Sequence, residues 1–165
     1  MDSDVRIKKE KDSFKYRVAG VIIKDNKILI DDVKDSECLY LPGGYVHLGE
    51  NSIDAVKREL EEELKREVII QKYLGIAENF FEYSCNLKMH ELSVYYLVDF
   101  KDESIETKDY SLVEDDNGFI IHHNFRWIDI DKIDDYDIRP AFLIKLLKEK
   151  NIEFNHIIFN NINGD

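Results

Sequence analysis

The spacing of apolar and polar positions predicts a chain of many strands and two helices. Tyr16-Arg17-Val18-Ala19-Gly20-Val21-Ile22-Ile23 is rich in β-branched residues and predicts a strand. Asp25-Asn26 predicts a turn, with Lys27 to Ile30 returning as the hairpin partner. Leu39 to Leu41 reads as a short strand stopped by Pro42-Gly43-Gly44. The period then changes. Ile53, Val56, Leu60 and Leu64 recur at spacings of three and four, which predicts an amphipathic helix from Ser52 to about Lys65. Asn51 or Ser52 can cap it, and Asp54 suits the positive end of its dipole.

Val68 to Tyr83 and Met89 to Phe100 read as two long antiparallel strands joined around Ser84-Cys85-Asn86. Asp116-Asn117-Gly118 signals a second hairpin between Tyr110–Val113 and Phe119–Ile121, because Asn-Gly suits the positive φ angles of a tight turn. Phe125 to Ile130 forms another strand, and Pro140 opens a helix over Ala141 to Lys150 with Phe142, Leu143, Leu146 and Leu147 on its apolar side. Ile152 to Phe159 can add an edge strand. No repeat, low-complexity tract or linker interrupts the pattern. One domain over residues 1–165 is expected, with a polar N-terminal segment at 1–14 and a C-terminal extension at 151–165.

Composition narrows the function classes. With 44% hydrophobic residues in 165, the chain can build a core. It has no apolar run long enough to span a bilayer, and Met1 to Ser13 lacks the apolar centre of a signal peptide. Cys38 and Cys85 make neither a metal set nor a disulfide framework, so two reduced thiols in a cytoplasmic protein are expected. The net charge of −12 repels nucleic-acid polymers and anionic membranes alike. It would also repel a phosphorylated small molecule, unless a divalent cation is recruited locally.

The candidate chemistry lies in Leu41-Pro42-Gly43-Gly44, Glu50 and Arg58-Glu59-Leu60-Glu61-Glu62-Glu63. On a helix, Glu59, Glu62 and Glu63 stand at i, i+3 and i+4 and share one flank. Like charges at that spacing are mildly unfavourable, by roughly 0.2–0.5 kcal/mol per pair, unless neutralised. Mg²⁺ or Mn²⁺ would neutralise them, since hard cations take carboxylate oxygens. Taken alone, the helix is better explained as a solvated acidic face. The two glycines after a strand favour a site, because they let backbone approach a ligand closely, and Glu50 can turn back toward Glu59 and Glu63.

These residues resemble the Nudix hydrolase signature, G-x5-E-x7-R-E-U-x-E-E-x-G-U with U a bulky apolar residue. Gly44, Glu50, Arg58, Glu59, Leu60, Glu62 and Glu63 match it in identity and spacing. The strand pair before this box, and Phe125-Arg126-Trp127-Ile128 with a C-terminal helix after it, extend the resemblance over most of the chain. The resemblance implies an α/β fold: an α/β/α sandwich around a mixed β-sheet, with the box as a loop–helix–loop and a C-terminal helix. It implies hydrolysis of a phosphoanhydride bond in a nucleoside diphosphate linked to another moiety. Glu59, Glu62 and Glu63 would hold Mg²⁺ or Mn²⁺ with the Gly44 carbonyl, and Arg58 would orient the glutamates. Glu50 and Glu91 are additional candidate carboxylates. The partner implied is a nucleotide-type small molecule, not a nucleic-acid polymer or a membrane; a homodimer is left open. The rival reading is a non-catalytic Nudix domain that regulates by binding a nucleotide or a protein.

Two departures from the signature stand out. Lys65 replaces the glycine near the box end and Arg66 the apolar residue after it, so the helix is expected to run on past Arg66. His122-His123-Asn124-Phe125-Arg126 has no acid where many members carry one before the tryptophan strand, which leaves Glu91 or Glu114-Asp115-Asp116 to supply it. His122 and His123 point to opposite faces of any strand and cannot share a metal. Phe81, Tyr83 and His47 are candidates for substrate contact, although aromatics at a strand end more often pack the rim. ADP-ribose-type members tend to carry a proline some fifteen residues after the box, and none occurs between Pro42 and Pro140. Dinucleoside-polyphosphate members tend to carry a tyrosine near Tyr83, and a nucleoside triphosphate also remains open.

Overall fold

The computed structural model describes residues 4–83, 86–116 and 118–162. Two mixed sheets are seen where one was expected. The first has five strands, ordered β1 (Arg6–Lys9), β2 (Asp12–Val21), β7 (Leu87–Phe100), β6 (Val68–Tyr83) and β11 (His156–Asn160). The second runs β10 (Ile138–Arg139), β5 (Leu39–Tyr40), β4 (Lys27–Val33), β9 (Phe119–Asp129) and β8 (Tyr110–Asp116), with β3 (Ile23–Lys24) also paired to β4. Helix α1 (Ser52–Leu64) packs on β2, β6 and β8, and α2 (Phe142–Lys148) on β10 and a 3-10 turn at Ile130–Asp135. Among the described residues, no helix is long and apolar enough to cross a membrane.

The expected first hairpin is split between the sheets. Asp25 and Asn26 do turn, with φ of 53° and 58°, but only Ile23 and Lys24 pair with β4. The preceding residues run parallel to β7 in the other sheet, from Asp12↔Lys88 to Val21↔Leu97. The alternating side chains explain this: Val18 enters the core under α1 and Val21 the core under α2, so one strand serves both layers. The polar N-terminal segment forms β1, an exposed edge strand paired to β2. The two long strands pair antiparallel as expected, and β11 adds the anticipated edge, parallel to β6. Ser84 and Cys85 of the first connection, and Asn117 of the second, lie outside the described residues. Phe119 to Asp129 is one continuous strand, not two.

Helix α1 begins where expected. The Asn51 side chain accepts the Ile53 and Asp54 amides, both at 3.0 Å, satisfying two orphan donors of the first turn. Its buried stripe is Ala55, Val56, Leu60 and Leu64; Ile53, in the first turn, is 54% exposed and does not reach the core. The helix ends at Leu64, with Lys65 left-handed at φ 53°, ψ 36°, which corrects the expected continuation past Arg66. Tertiary packing imposes the reversal. Val68 must turn into the core to start β6, its amide meeting Glu61 Oε1 at 3.3 Å, while Arg66 lies over the Phe100 and Tyr110 rings. On the second helix Leu143 and Leu147 are buried, whereas Phe142 meets Tyr95 and Phe154 edge-on.

Candidate active site

The loop after β5 is held against β2 by the chain itself. The Gly44 carbonyl accepts the Val18 amide at 3.0 Å, and the Pro42 carbonyl accepts that of Gly20 at 2.9 Å. Gly43 has φ 144°, and a Cβ there would meet the Val18 carbonyl at 2.2 Å; only glycine fits. A Cβ on Gly44 would meet Glu59 Oε2 at 2.0 Å. The missing side chains thus open a cradle into which α1 presses a carboxylate.

Arg58 is the hub of this arrangement. Its fork donates to Glu50 through Nε (2.9 Å to Oε1) and Nη2 (2.8 Å to Oε2), and Nη2 also donates to the Tyr45 carbonyl at 3.0 Å. Nη1 donates to Glu59 at 2.7 Å and to Glu62 at 3.2 Å. One guanidinium therefore ties the loop to the helix and orients three carboxylates. Its hydrogen bonds hold Glu50 down at about 2, assisted by the His47 amide. Burial pushes the Glu59 carboxyl upward, against the pull of Arg58.

Glu63 turns away from Arg58. Its Oε2 accepts the Gly43 amide at 2.8 Å, and burial pushes its carboxyl up to about 8, the nearby Asp31 charge adding to the shift. Asp31 on β4 and His123 on β9 face it from the second sheet; donor atoms of Asp31, Glu63 and His123 all lie within 4.8 Å of one another. His123 Nδ1 stands 2.7 Å from Asp31 Oδ2 and its Nε2 3.2 Å from Glu114 Oε2. Burial pulls the imidazole down, but the Asp31 hydrogen bond and surrounding carboxylates outweigh it and raise it above its ordinary value.

The three box carboxylates do not point to one place. Glu59 fills the glycine cradle, Glu63 lies between Gly43 and Asp31, and Glu62, 54% exposed, is held by Arg58 alone among the described contacts. Glu91 sits on β7, its Oε1 accepting from Ser93 at 2.9 Å and its Oε2 3.6 Å from Arg17 Nη1; Arg17 Nη2 donates to the Gly43 carbonyl at 3.0 Å. Arg17 thus brings a cation to the glycine loop from β2. His47 is paired across a bridge with Asp4, its Nε2 3.5 Å from Asp4 Oδ1 and its Nδ1 4.0 Å from Glu50 Oε2. Phe81 lies on β6 opposite Met89, with no described bond to the box; the Tyr83 side chain lies outside the described residues. The acids proposed to replace the missing one divide as well: Glu114 reaches His123, and the side chains of Asp115 and Asp116 lie outside the described residues.

Sequence reasoning missed Arg17, Asp31 and His123 as neighbours of the box. His122 is exposed and His123 buried, as strand alternation requires, but nothing local shows that the inward face meets Glu63. Asp31 carried a signal: an acid that directly continues the apolar run Ile28-Leu29-Ile30 of a buried strand needs a partner.

The donor set fits a hard divalent cation. Carboxylates line a cradle that any side chain at residue 44 would fill, and the Gly44 carbonyl keeps a second lone pair beyond its bond to Val18. Residues 15–148 match the NUDIX domain, and the chain belongs to that family. It is 33% identical over 105 residues to an ADP-ribose pyrophosphatase of Methanocaldococcus jannaschii, a match covering 57% of this chain and 60% of that protein's length. The fold is similar to a NUDIX hydrolase from Nitrosomonas europaea (TM-score 0.61, 17% identity, 89% of this chain and 79% of that one). It is also similar to an ADP-ribose pyrophosphatase from Streptococcus suis (TM-score 0.56, 17% identity, 88% and 98%).

Proposed function

We propose that the protein hydrolyses a phosphoanhydride bond in a nucleoside diphosphate linked to a second moiety, with Mg²⁺ or Mn²⁺ as cofactor. The observation that carries this reading is the Arg58 fork, which holds Glu50, Glu59 and Glu62 at the mouth of the Gly43–Gly44 cradle. Membership of the NUDIX family supports it.

Glu59 and Glu62, gathered by Arg58, would hold the ion beside the Gly44 carbonyl, and Glu63 would join them on turning from the Gly43 amide. Bound there, it would screen the phosphate oxygens and make water a stronger acid. The remaining work falls to the chain. Arg58 keeps the carboxylates oriented before substrate arrives, so little reorganisation is left for the reaction. Arg17, anchored on the Gly43 carbonyl, places positive charge behind the loop in a molecule of net charge −12. The proton of the attacking water passes to a carboxylate, with Glu62, Glu63 and Glu91 as the candidates, and the bridging oxygen leaves with the departing phosphate.

Similarity to the archaeal relative makes ADP-ribose the first substrate to try, against the missing proline downstream of the box. The test is phosphate and nucleotide release from ADP-ribose, dinucleoside polyphosphates, nucleotide sugars and nucleoside triphosphates, with and without divalent metal. Turnover of at least one, abolished by excess chelator, is expected. No turnover of any, with retained nucleotide binding, would establish the regulatory reading instead.

A further inference from the structure

Asp31, His123 and Glu114 come from three neighbouring strands yet lie on one sheet face. Val33 pairs with His123 and Leu112 pairs with His123, so Asp31 and Glu114, each two residues along, share the face of the imidazole. Glu63 closes the group from α1. Three carboxylates thus surround one imidazole at the inner wall of the site. Asp31 and His123 are each 4% exposed.

A simple ion pair leaves part of this arrangement unexplained. Asp31 Oδ2 meets His123, but Asp31 Oδ1 is buried with no hydrogen-bond partner. Buried polar atoms are nearly always satisfied, and a carboxylate oxygen left bare beside a second, half-buried carboxylate calls for a cation. The second ring nitrogen is already occupied. Nε2 faces Glu114 at 3.2 Å, the carboxylate–imidazole pairing that fixes the tautomer of metal-binding histidines and turns the other nitrogen toward the ion.

We infer that Asp31, Glu63 and His123 form a second divalent-cation site, suited to an ion that accepts imidazole nitrogen, such as Mn²⁺, Co²⁺ or Zn²⁺, in preference to Mg²⁺. Glu63 is shared: one oxygen accepts the Gly43 amide, and its carboxylate borders both the family box and this inner cluster. The inference reaches beyond the proposed hydrolysis, because Asp31 and His123 lie outside the box and the site requires no nucleotide.

The experiment uses the full chain, stripped with chelator and without substrate. Co²⁺ is titrated by calorimetry, and bound Mn²⁺ is read by electron spin-echo spectroscopy for ¹⁴N coupling. The wild type is expected to show ¹⁴N coupling and to bind one equivalent of Co²⁺ more than Asp31→Asn. Asp31→Asn and His123→Gln should each remove the coupling or weaken that ion by about tenfold or more. Glu62→Gln, altered outside the cluster, should keep the coupling. Absence of ¹⁴N coupling in the wild type, or equal Co²⁺ stoichiometry in wild type and Asp31→Asn, would overturn the site and leave His123 as a protonated partner of its carboxylates. If His123→Gln does not fold, the wild-type spectrum and Asp31→Asn decide the matter. Neither readout depends on turnover, so failure here leaves the hydrolytic reading untouched, and the reverse.

Discussion

Glu59 Oε2 occupies the space of a side chain at residue 44: a Cβ on Gly44 would lie 2.0 Å from it. The neighbouring Gly43 meets a different obstacle, the Val18 backbone carbonyl, 2.2 Å from its own Cβ position. The two glycines therefore answer to different links of the chain from sequence to function. Gly44→Ala should fold with stability close to wild type, because a flexible carboxylate end can move aside, yet lose most metal-dependent turnover. Gly43→Ala pushes on backbone and is expected to cost about 1–3 kcal/mol in a denaturant titration. Equal loss of stability in both variants would contradict this division.

Lys65 holds a left-handed conformation at φ 53°. Such backbone costs a side-chain-bearing residue roughly 1–2 kcal/mol that glycine avoids, partly offset by glycine's freer unfolded chain. Lys65→Gly should therefore raise the denaturation midpoint, by up to about 1 kcal/mol in stability, with activity unchanged. A lowered midpoint would mean that the helix continues beyond Leu64 in solution.

Glu62→Gln keeps shape and removes charge at a half-exposed position, so packing is spared. Turnover at saturating Mg²⁺ is expected to fall at least about a hundredfold, the range for loss of a group that handles charge or protons in the transition state. Unchanged melting together with near wild-type rates would show that turnover does not depend on the Glu62 charge.

The Glu50 carboxyl is held at about 2, against an ordinary 4.5, chiefly by the Arg58 hydrogen bonds. A depressed folded-state value contributes stability that is fully present above pH 4.5 and lost as the pH falls toward 2. Comparing wild type with Glu50→Gln over that window should show the wild-type advantage shrinking with acid. An advantage independent of pH would place the contribution elsewhere in the loop.

How much of this was legible in advance depends on the range of the interactions. Asn51, the spacing of Val56, Leu60 and Leu64, and the Asp25-Asn26 turn act within a few residues, so the sequence alone determined where α1 starts, which side it buries and where β4 begins. The box from Gly44 to Glu63 was readable through its resemblance to the Nudix signature, whereas helix periodicity alone did not show that Glu63 parts from Glu59 and Glu62. Tertiary structure decided the rest. Whether β2 pairs with β4 or β7 depends on which side chains fill two cores at once, and local pattern cannot choose between them. Lys65 turns left-handed because β6 must start beside α1, overriding its intrinsic preference. Asp31, Glu63 and His123 meet only after two strands and a helix far apart in sequence pack together. Carboxylates and an imidazole scattered along a chain carry no sign of shared space until that packing removes the water between them.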